Sequence, residues 1–264
     1  MKSNFNILGM GDTHCGSLIG LTPPAWRTPE AIDARAAAFQ RESWAWFSKV
    51  VAPYRGIDVL IANGDMIDGC GDRSGGTEEI TTDRNKQAKM AAEILDLIAP
   101  KAIVATYGTG YHTGQAEDFE DHIFPQMRHR PKLCVMESEA FFEHEGVVFD
   151  VRHHIGTSSV AHGRATALLK EHVWNALLAE IGKSHRAQVI MRNHAHYFMQ
   201  VFDGYRLGLI LPALQGRGTK YGSRRCGGDT AFGIVPIECR RGEVVTWRAH
   251  LLNAASQRPQ LHHV

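Results

Sequence analysis

The chain has 264 residues, 44% hydrophobic and 22% charged, which is the composition of a globular domain long enough to bury a substantial core. A formal net charge of +1 excludes a global field drawing it to nucleic acid or membrane, so any basic binding surface must be local. No apolar run nears the roughly 20 residues of a membrane helix, the N-terminus lacks a signal-peptide pattern, and five scattered cysteines without a CxxC pair lead us to expect a reduced, cytoplasmic protein.

The apolar run 5–10 predicts a buried strand that breaks at Gly11 into Asp12-Thr13-His14. Residues 31–54 carry Phe39, Trp44 and Phe47 on one face and predict a helix. The run 57–63 predicts a second strand, ending in Gly64-Asp65-Met66-Ile67-Asp68. Helical periodicity returns over 78–100, with Pro100 as its stop. A third strand over 101–108 runs into Thr109-Gly110-Tyr111-His112, and a fourth over 147–152 into His153-His154. A helix is expected over 159–184, then a strand over 187–192 that runs into Asn193-His194-Ala195-His196. The last third reads as mostly β, with hairpin turns at Asp203-Gly204 and Arg241-Gly242. Strands alternating with helices indicate an α/β layered fold. Without repeats or linkers, residues 1–264 are read as one domain, in which 196–264 complete a second sheet.

Fifteen histidines is high for this length, and several are placed rather than scattered. In α/β sheets functional groups gather beyond the carboxyl ends of the strands. Five such ends here offer Asp12, His14, Asp65, Asp68, His112, His153, His154, His194 and His196. Imidazole nitrogen mixed with carboxylate oxygen suits Mn, Fe, Zn or Ni better than Ca or Mg.

The order of these groups resembles the calcineurin-like metallophosphoesterase family, whose signature is DxH, GDxxD, GNH followed by an acid, a lone His, and GHxH. The resemblance runs from residue 11 to 196 in the right order. It implies a four-layer αββα sandwich and a centre of two divalent ions, Mn2+ first among Mn, Fe, Zn and Ni. Asp12, His14 and His196 would hold the first ion, His153 and His194 the second, with Asp65 bridging both. Asp68 would orient a ligand or His112. His112 would stand beside the phosphate, stabilising charge or protonating the leaving oxygen. Two cations roughly 3.5–4 Å apart would neutralise the phosphate and activate water near neutral pH. The opening GDTHCGSLIGLTPPAW is further similar to those of phage and prophage phosphoesterases.

The sequence departs from the signature twice. The Asn of GNH is absent, with Thr109 the preferred substitute over Tyr111, and Asn193 stands where GHxH has glycine. In the adjacent histidine pair only one is expected to point at the metal, because neighbouring strand residues face opposite ways; the resemblance implies the first, so His153 is favoured as ligand and His154 is the reserve.

A basic glycine-rich segment over 215–228 carries Arg217, Lys220, Arg224 and Arg225 without an acid among them, plus Tyr221. It is a candidate substrate-binding loop for a phosphate chain. The long loop over 69–87 that follows Asp65 is a second candidate for shaping the pocket, through Arg73 or Arg84. Cys15 and Cys70 read as packing residues. The leading expectation is a phosphodiesterase, with DNA or RNA as candidate substrates and no membrane partner. A phosphomonoesterase is the first alternative, and a degenerate member that binds nucleic acid or protein without turnover is the second.

Overall fold

The computed structural model describes residues 4–158, 160–218 and 230–258. The first half runs β1 (Ile7–Met10), α1 (Ala34–Val51), β2 (Val59–Asn63), α2 (Arg84–Ile98) and β3 (Ala102–Thr106). Two short helices follow, α3 (Gly110–Thr113) and α4 (Ile123–Gln126), then β4 (Leu133–Glu137), β5 (Glu139–His144) and β6 (Val147–Arg152). The second half continues with α5 (Arg164–Glu180), β7 (Val189–Arg192), β8 (Met199–Phe202) and β9 (Leu207–Ile210). It closes with β10 (Phe232–Arg240), β11 (Glu243–Trp247) and β12 (His250–Leu252).

These strands form two sheets, one ordered β11-β10-β1-β2-β3-β4 with β12 also on β10, the other β5-β6-β7-β9-β8. Strands β1 to β4 are mutually parallel, as are β6, β7 and β9, so their carboxyl ends share a direction within each sheet. Central strands are apolar throughout because both faces are covered. Ile7, Val59, Ile61 and Val104 meet Val147, Phe149, Val189 and Met191 of the other sheet. The alternate residues Leu8, Leu60 and Ile103 instead pack with Phe39 and Phe47 of α1 and Ile94 of α2. Ile190 and Ile210 form a third core with Leu168 of α5. Three apolar interfaces between four layers make the expected αββα sandwich. No helix among the described residues is long and apolar enough to cross a membrane.

The structure differs from the sequence reading in three places. Residues 196–264 do not all complete the second sheet: β8 and β9 join it, but β10, β11 and β12 extend the first. The reason is that β10 runs antiparallel beside β1, with Ile7 opposite Ile237, and buries Ile234 and Val235 on its opposite faces. Second, the helix expected from 78 begins at Arg84, where Asp83 accepts from the Asn85 and Lys86 amides. Residues 78–80 are bound instead to the loop after β1, through Leu18 N–H to Glu78 O and Ile80 N–H to Gly16 O. Third, β4 and β5 were not anticipated, and β4 is largely exposed, so it lacks a buried pattern. Both hairpin turns form as expected, between β8 and β9 and between β10 and β11.

A buried ionic layer lies between the second sheet and α5. Arg192 of β7 is 1% exposed and forks onto Asp150 of β6 at 2.8 and 3.1 Å, with Glu171 of α5 at 2.8 Å. Burial opposes this charge, but Asp150 and then Glu171 hold the guanidinium pKa above its usual value. Removing one member strands the other in a dry interior. Asp150→Ala is therefore expected to cost about 3–5 kcal/mol in urea unfolding, with Asp150→Leu plus Arg192→Met recovering most of it.

Candidate metal centre

The loops beyond β1, β2, β3, β6 and β7 converge on one cleft. Asp12, His14, Asp65, His194 and His196 all have positive φ, between 43° and 66°, a region non-glycine residues rarely enter. Each bend turns the chain away from its strand and swings the side chain inward. Interlocked main-chain bonds hold these bends, including Asp12 N–H to Gly64 O, His14 N–H to Asp65 O and Asn193 N–H to His153 O. Close approach requires glycine at two points. A Cβ at Gly108 would lie 2.1 Å from Asp65 Oδ1, and one at Gly64 would lie 2.5 Å from His153 Nδ1.

Three sets of donors result among the described residues, Asp12 with His14 and His196, Asp65 with His153 and His194, and His14 with Asp68 and His112, each having its ligand atoms within 4.8 Å of one another. The third is tied up internally, since Asp68 already contacts His14 Nδ1 through its carboxylate and His112 Nδ1 through its carbonyl. In the first set His14 Nε2 and His196 Nε2 are 3.2 Å apart, with Asp12 Oδ1 3.8 and 3.4 Å from them. In the second, His153 Nε2 is 3.0 Å from Asp65 Oδ2 but out of hydrogen-bond alignment. The same nitrogen is 3.8 Å from Asp12 Oδ1, which joins the first two sets. Asp12 Oδ1 and His153 Nε2 are both buried without a hydrogen-bond partner among the described residues. Buried polar atoms are ordinarily satisfied, so these two fit a cation between them.

A second layer of contacts fixes how the donors point. His14 Nδ1 lies 2.5 Å from Asp68 Oδ1, and His153 Nδ1 lies 2.9 Å from the Asn63 carbonyl. With Nδ1 donating to those acceptors, each Nε2 lone pair faces the cleft. His112 Nδ1 is likewise 2.7 Å from the Asp68 carbonyl. Asp12 Oδ2 accepts from Asn193 Nδ2 at 2.9 Å and from His194 N at 3.1 Å. Asn193 Oδ1 accepts from Asn63 Nδ2 at 2.7 Å, and Asn63 Oδ1 from Thr106 Oγ1 at 2.6 Å. Thr109 donates its amide to Asp65 Oδ1 at 2.7 Å, with its hydroxyl 3.3 Å from the same oxygen.

The electrostatics follow from burial among mixed charges. Against the cost of burial, His196 holds Asp12 below the usual carboxylate range, and His153 does the same for Asp65. Burial disfavours a charged His153, yet the Asp65 carboxylate pushes it up to about 10. Burial and then the neighbouring His153 bring His194 down to about 4. His112 is lowered by burial and by His14. Glu120, fully buried on the turn before α4, accepts from the Met66 amide at 2.6 Å and the Gly108 amide at 2.8 Å. Burial and then Asp65 raise its carboxyl to about 7.

Of the residues singled out from the sequence, Asp12, His14, Asp65, Asp68, His112, His153, His194 and His196 meet here, with Thr109 on Asp65. His154 is exposed, its ring 4.9 Å from that of His194. Arg217 is exposed and its backbone pairs with Gln257, while Lys220, Tyr221, Arg224 and Arg225 lie outside the described residues. Arg73 lies over the Tyr111 ring at 4.8 Å, and Arg84 Nε donates to the His112 carbonyl at 3.3 Å. Cys15 and Cys70 are free thiols, and Cys15 is buried in the core of the first sheet. Asn63, Glu120 and the bonding of Asn193 were missed. Only Asn193 carried a signal, as an amide where the signature has glycine.

No protein-family model matches the sequence, and no curated protein does. Among solved structures the chain is similar to Vps29 of Chaetomium thermophilum, at 10% identity over 93% of this chain and 96% of that one, TM-score 0.48. It is also similar to an archaeal phosphodiesterase, at 12% identity over 93% and 99%, TM-score 0.45. A third is the Yfce phosphoesterase of E. coli, at 13% identity over 92% and 98%, TM-score 0.43.

Loss of the Asn193 amide would free the Asp12 carboxylate to rotate. Asn193→Ala is expected to weaken divalent-cation binding about tenfold to hundredfold by titration calorimetry, with the fold retained by circular dichroism. A second expectation concerns pH. An acid whose folded pKa is raised stabilises the fold fully below its unfolded value, and that contribution is lost as pH rises through the folded value. For Glu120 the window runs from the ordinary carboxyl value of 4.5 to about 7. Glu120→Gln should flatten the decline in metal-free stability across that window, read by urea unfolding at successive pH values.

Proposed function

We propose that this chain is a metal-dependent phosphoesterase working through two divalent cations. Asp12, His14 and His196 hold one, His153 and His194 the other, and Asp65 is shared, with Thr109 close enough to join the second. The observation that carries this reading is the pair of buried, unsatisfied atoms, Asp12 Oδ1 and His153 Nε2, set 3.8 Å apart between two converging donor sets. When bound, such a cation pair neutralises a phosphate ester and activates water; Mn2+ is the first choice, with Fe, Zn and Ni fitting the same donors.

The chain's own residues do the rest. Asp68 holds His14 through its carboxylate and His112 through its carbonyl, so one residue sets both imidazoles. The His112 side chain is 20% exposed, with Nε2 free of the Asp68 contact. An arriving anion raises the pKa of this imidazole, and His112 passes the acquired proton from Nε2 to the leaving oxygen. A phosphodiester is the leading substrate class, with nucleic acid as its candidate form, supported by the basic composition of residues 215–228.

The reading is tested by turnover of bis-p-nitrophenyl phosphate against p-nitrophenyl phosphate with added Mn2+. The diester should be the better substrate, and a faster monoester would replace this assignment with a phosphomonoesterase. Asp65→Asn and His112→Ala should each lower kcat by about 10²–10⁴-fold with the fold intact. Undiminished rates in both variants, or no turnover with any of the four metals, would overturn the enzymatic reading.

A further inference from the structure

Asp68 sets both His14 and His112, and its own carboxyl has a further partner. Glu79, half-buried in the long loop after β2, is hydrogen-bonded through its carboxyl to that of Asp68. The backbone is folded to bring the two acids together. Gln87 of α2 accepts from the Gly69 amide at 2.8 Å and donates to the Gly69 and Thr81 carbonyls at 2.8 and 2.7 Å, which closes the loop over 69–81. Within it Glu79 pairs with Ser17 as an antiparallel bridge, while the Asp68 amide donates to the Cys15 carbonyl. Segment 15–17, just after His14, thus carries both acids. Gly71, at φ 63°, makes room for the Glu79 carboxyl, since a Cβ there would lie 2.6 Å from Oε1. Glu79 Oε2 is buried, and no donor reaches it among the described residues.

An ionised carboxylate only accepts, so two carboxyls in hydrogen-bond contact need a proton on one of them. Asp68 is the member able to stay charged. Its Oδ1 lies 2.5 Å from His14 Nδ1 and 3.4 Å from Gln215 Nε2. Against the cost of burial, His14 and then His112 hold its carboxyl below the usual range. Glu79 has no such support. The groups that face it are Asp68, Glu78 and the Cys70 thiol, and burial and then Asp68 push it up to about 10.

We propose that Glu79 is a positioning residue of the metal centre, keeping a proton that it donates to the Asp68 carboxylate and so fixing that carboxylate on His14. The bond is a charge-assisted O–H···O contact, strong enough to hold Asp68 in one orientation. With Asp68 fixed, His14 Nδ1 keeps its acceptor and its Nε2 lone pair stays aimed at the cleft. This role rests on the reading of His14 as a metal ligand.

Infrared difference spectroscopy of the metal-free chain at about pH 8, wild type minus Glu79→Gln, reads the proton directly, because an ordinary Glu is ionised there. Loss of a protonated carboxyl band in the variant is expected, and loss of a carboxylate band instead would overturn the proposal. Proton–nitrogen NMR of the metal-free imidazoles reads the positioning. The His14 Nδ1–H resonance should shift or vanish in Glu79→Met, which fills the same space without a donor. Glu79→Gln should recover it, since the amide still donates to Asp68. An unchanged resonance in Glu79→Met would overturn the proposal. In calorimetric titration with Mn2+ alone, Glu79→Met should bind about tenfold more weakly than the wild type, with Glu79→Gln rescuing the loss. Equal binding by wild type and Glu79→Met would overturn this role alone, whereas a wild type that binds no Mn2+ would overturn the metal reading together with it.

Discussion

The Asp12 carboxylate is held by one of its two oxygens. Asn193 Nδ2 and His194 N both donate to Oδ2, which leaves Oδ1 buried and bare toward His14, His153 and His196. Asn193 is itself fixed by Asn63, and Asn63 by Thr106, so a line of side chains runs from β3 through the end of β2 to the loop after β7. That line crosses from one sheet to the other at the level where their strands end. It does two things at once: it satisfies three buried amide and hydroxyl groups, and it fixes the direction in which an unsatisfied anion points. Were the Asp12 carboxylate free to turn, the gap between the two donor sets would have no fixed shape.

Holding this arrangement is costly. Five non-glycine residues sit in the left-handed region, at about 1–3 kcal/mol each. Three aspartates, Asp12, Asp65 and Asp68, and several imidazoles are buried at close quarters, where a bare charge is heavily penalised. The metal-free site offsets part of this with protons, as the raised His153 indicates. A cation in the cleft would displace that proton and satisfy the same carboxylates, so the site is built to favour positive charge. The strain is affordable because the strand ends are clamped on both sides, by the apolar core between the sheets and by main-chain bonds between loops.

Much of this was legible in the sequence because strand ends announce themselves. Apolar runs that stop at Gly11, Gly64 and His153 marked where side chains would gather, and their residue types marked the chemistry. Strand alternation said that only one of His153 and His154 would face the site, and the resemblance, not the alternation, favoured His153. The rest depended on partners remote in sequence. Nothing near Asn193 says that it faces Asp12, 181 positions away, nor that Glu120 joins the loops after β2 and β3. The start of α2 was misread for the same reason, since residues 78–80 spend their backbone bonds on residues 16–18. A helical period cannot reveal that competition. The last third read only as mostly β, and pairing with β1 decided which sheet β10 joins.

The ionic layer under α5 bears on the site as well as on the fold. Asp150 and Arg192 lie on paired strands, with Asp150 opposite Ile190 in the parallel register of β6 and β7. Their salt bridge, buttressed by Glu171, resists any slip between those strands. His153 is three residues beyond Asp150, and Asn193 is one beyond Arg192. The heights of His153 and Asn193 are thus set by one buried pair, and the Asn193 amide bonds to the His153 carbonyl where the strands end. A parallel pair has little register information in its evenly spaced ladder. Side chains must supply it, and here a bidentate guanidinium does so close to where a one-residue slip would turn His153 out of the cleft.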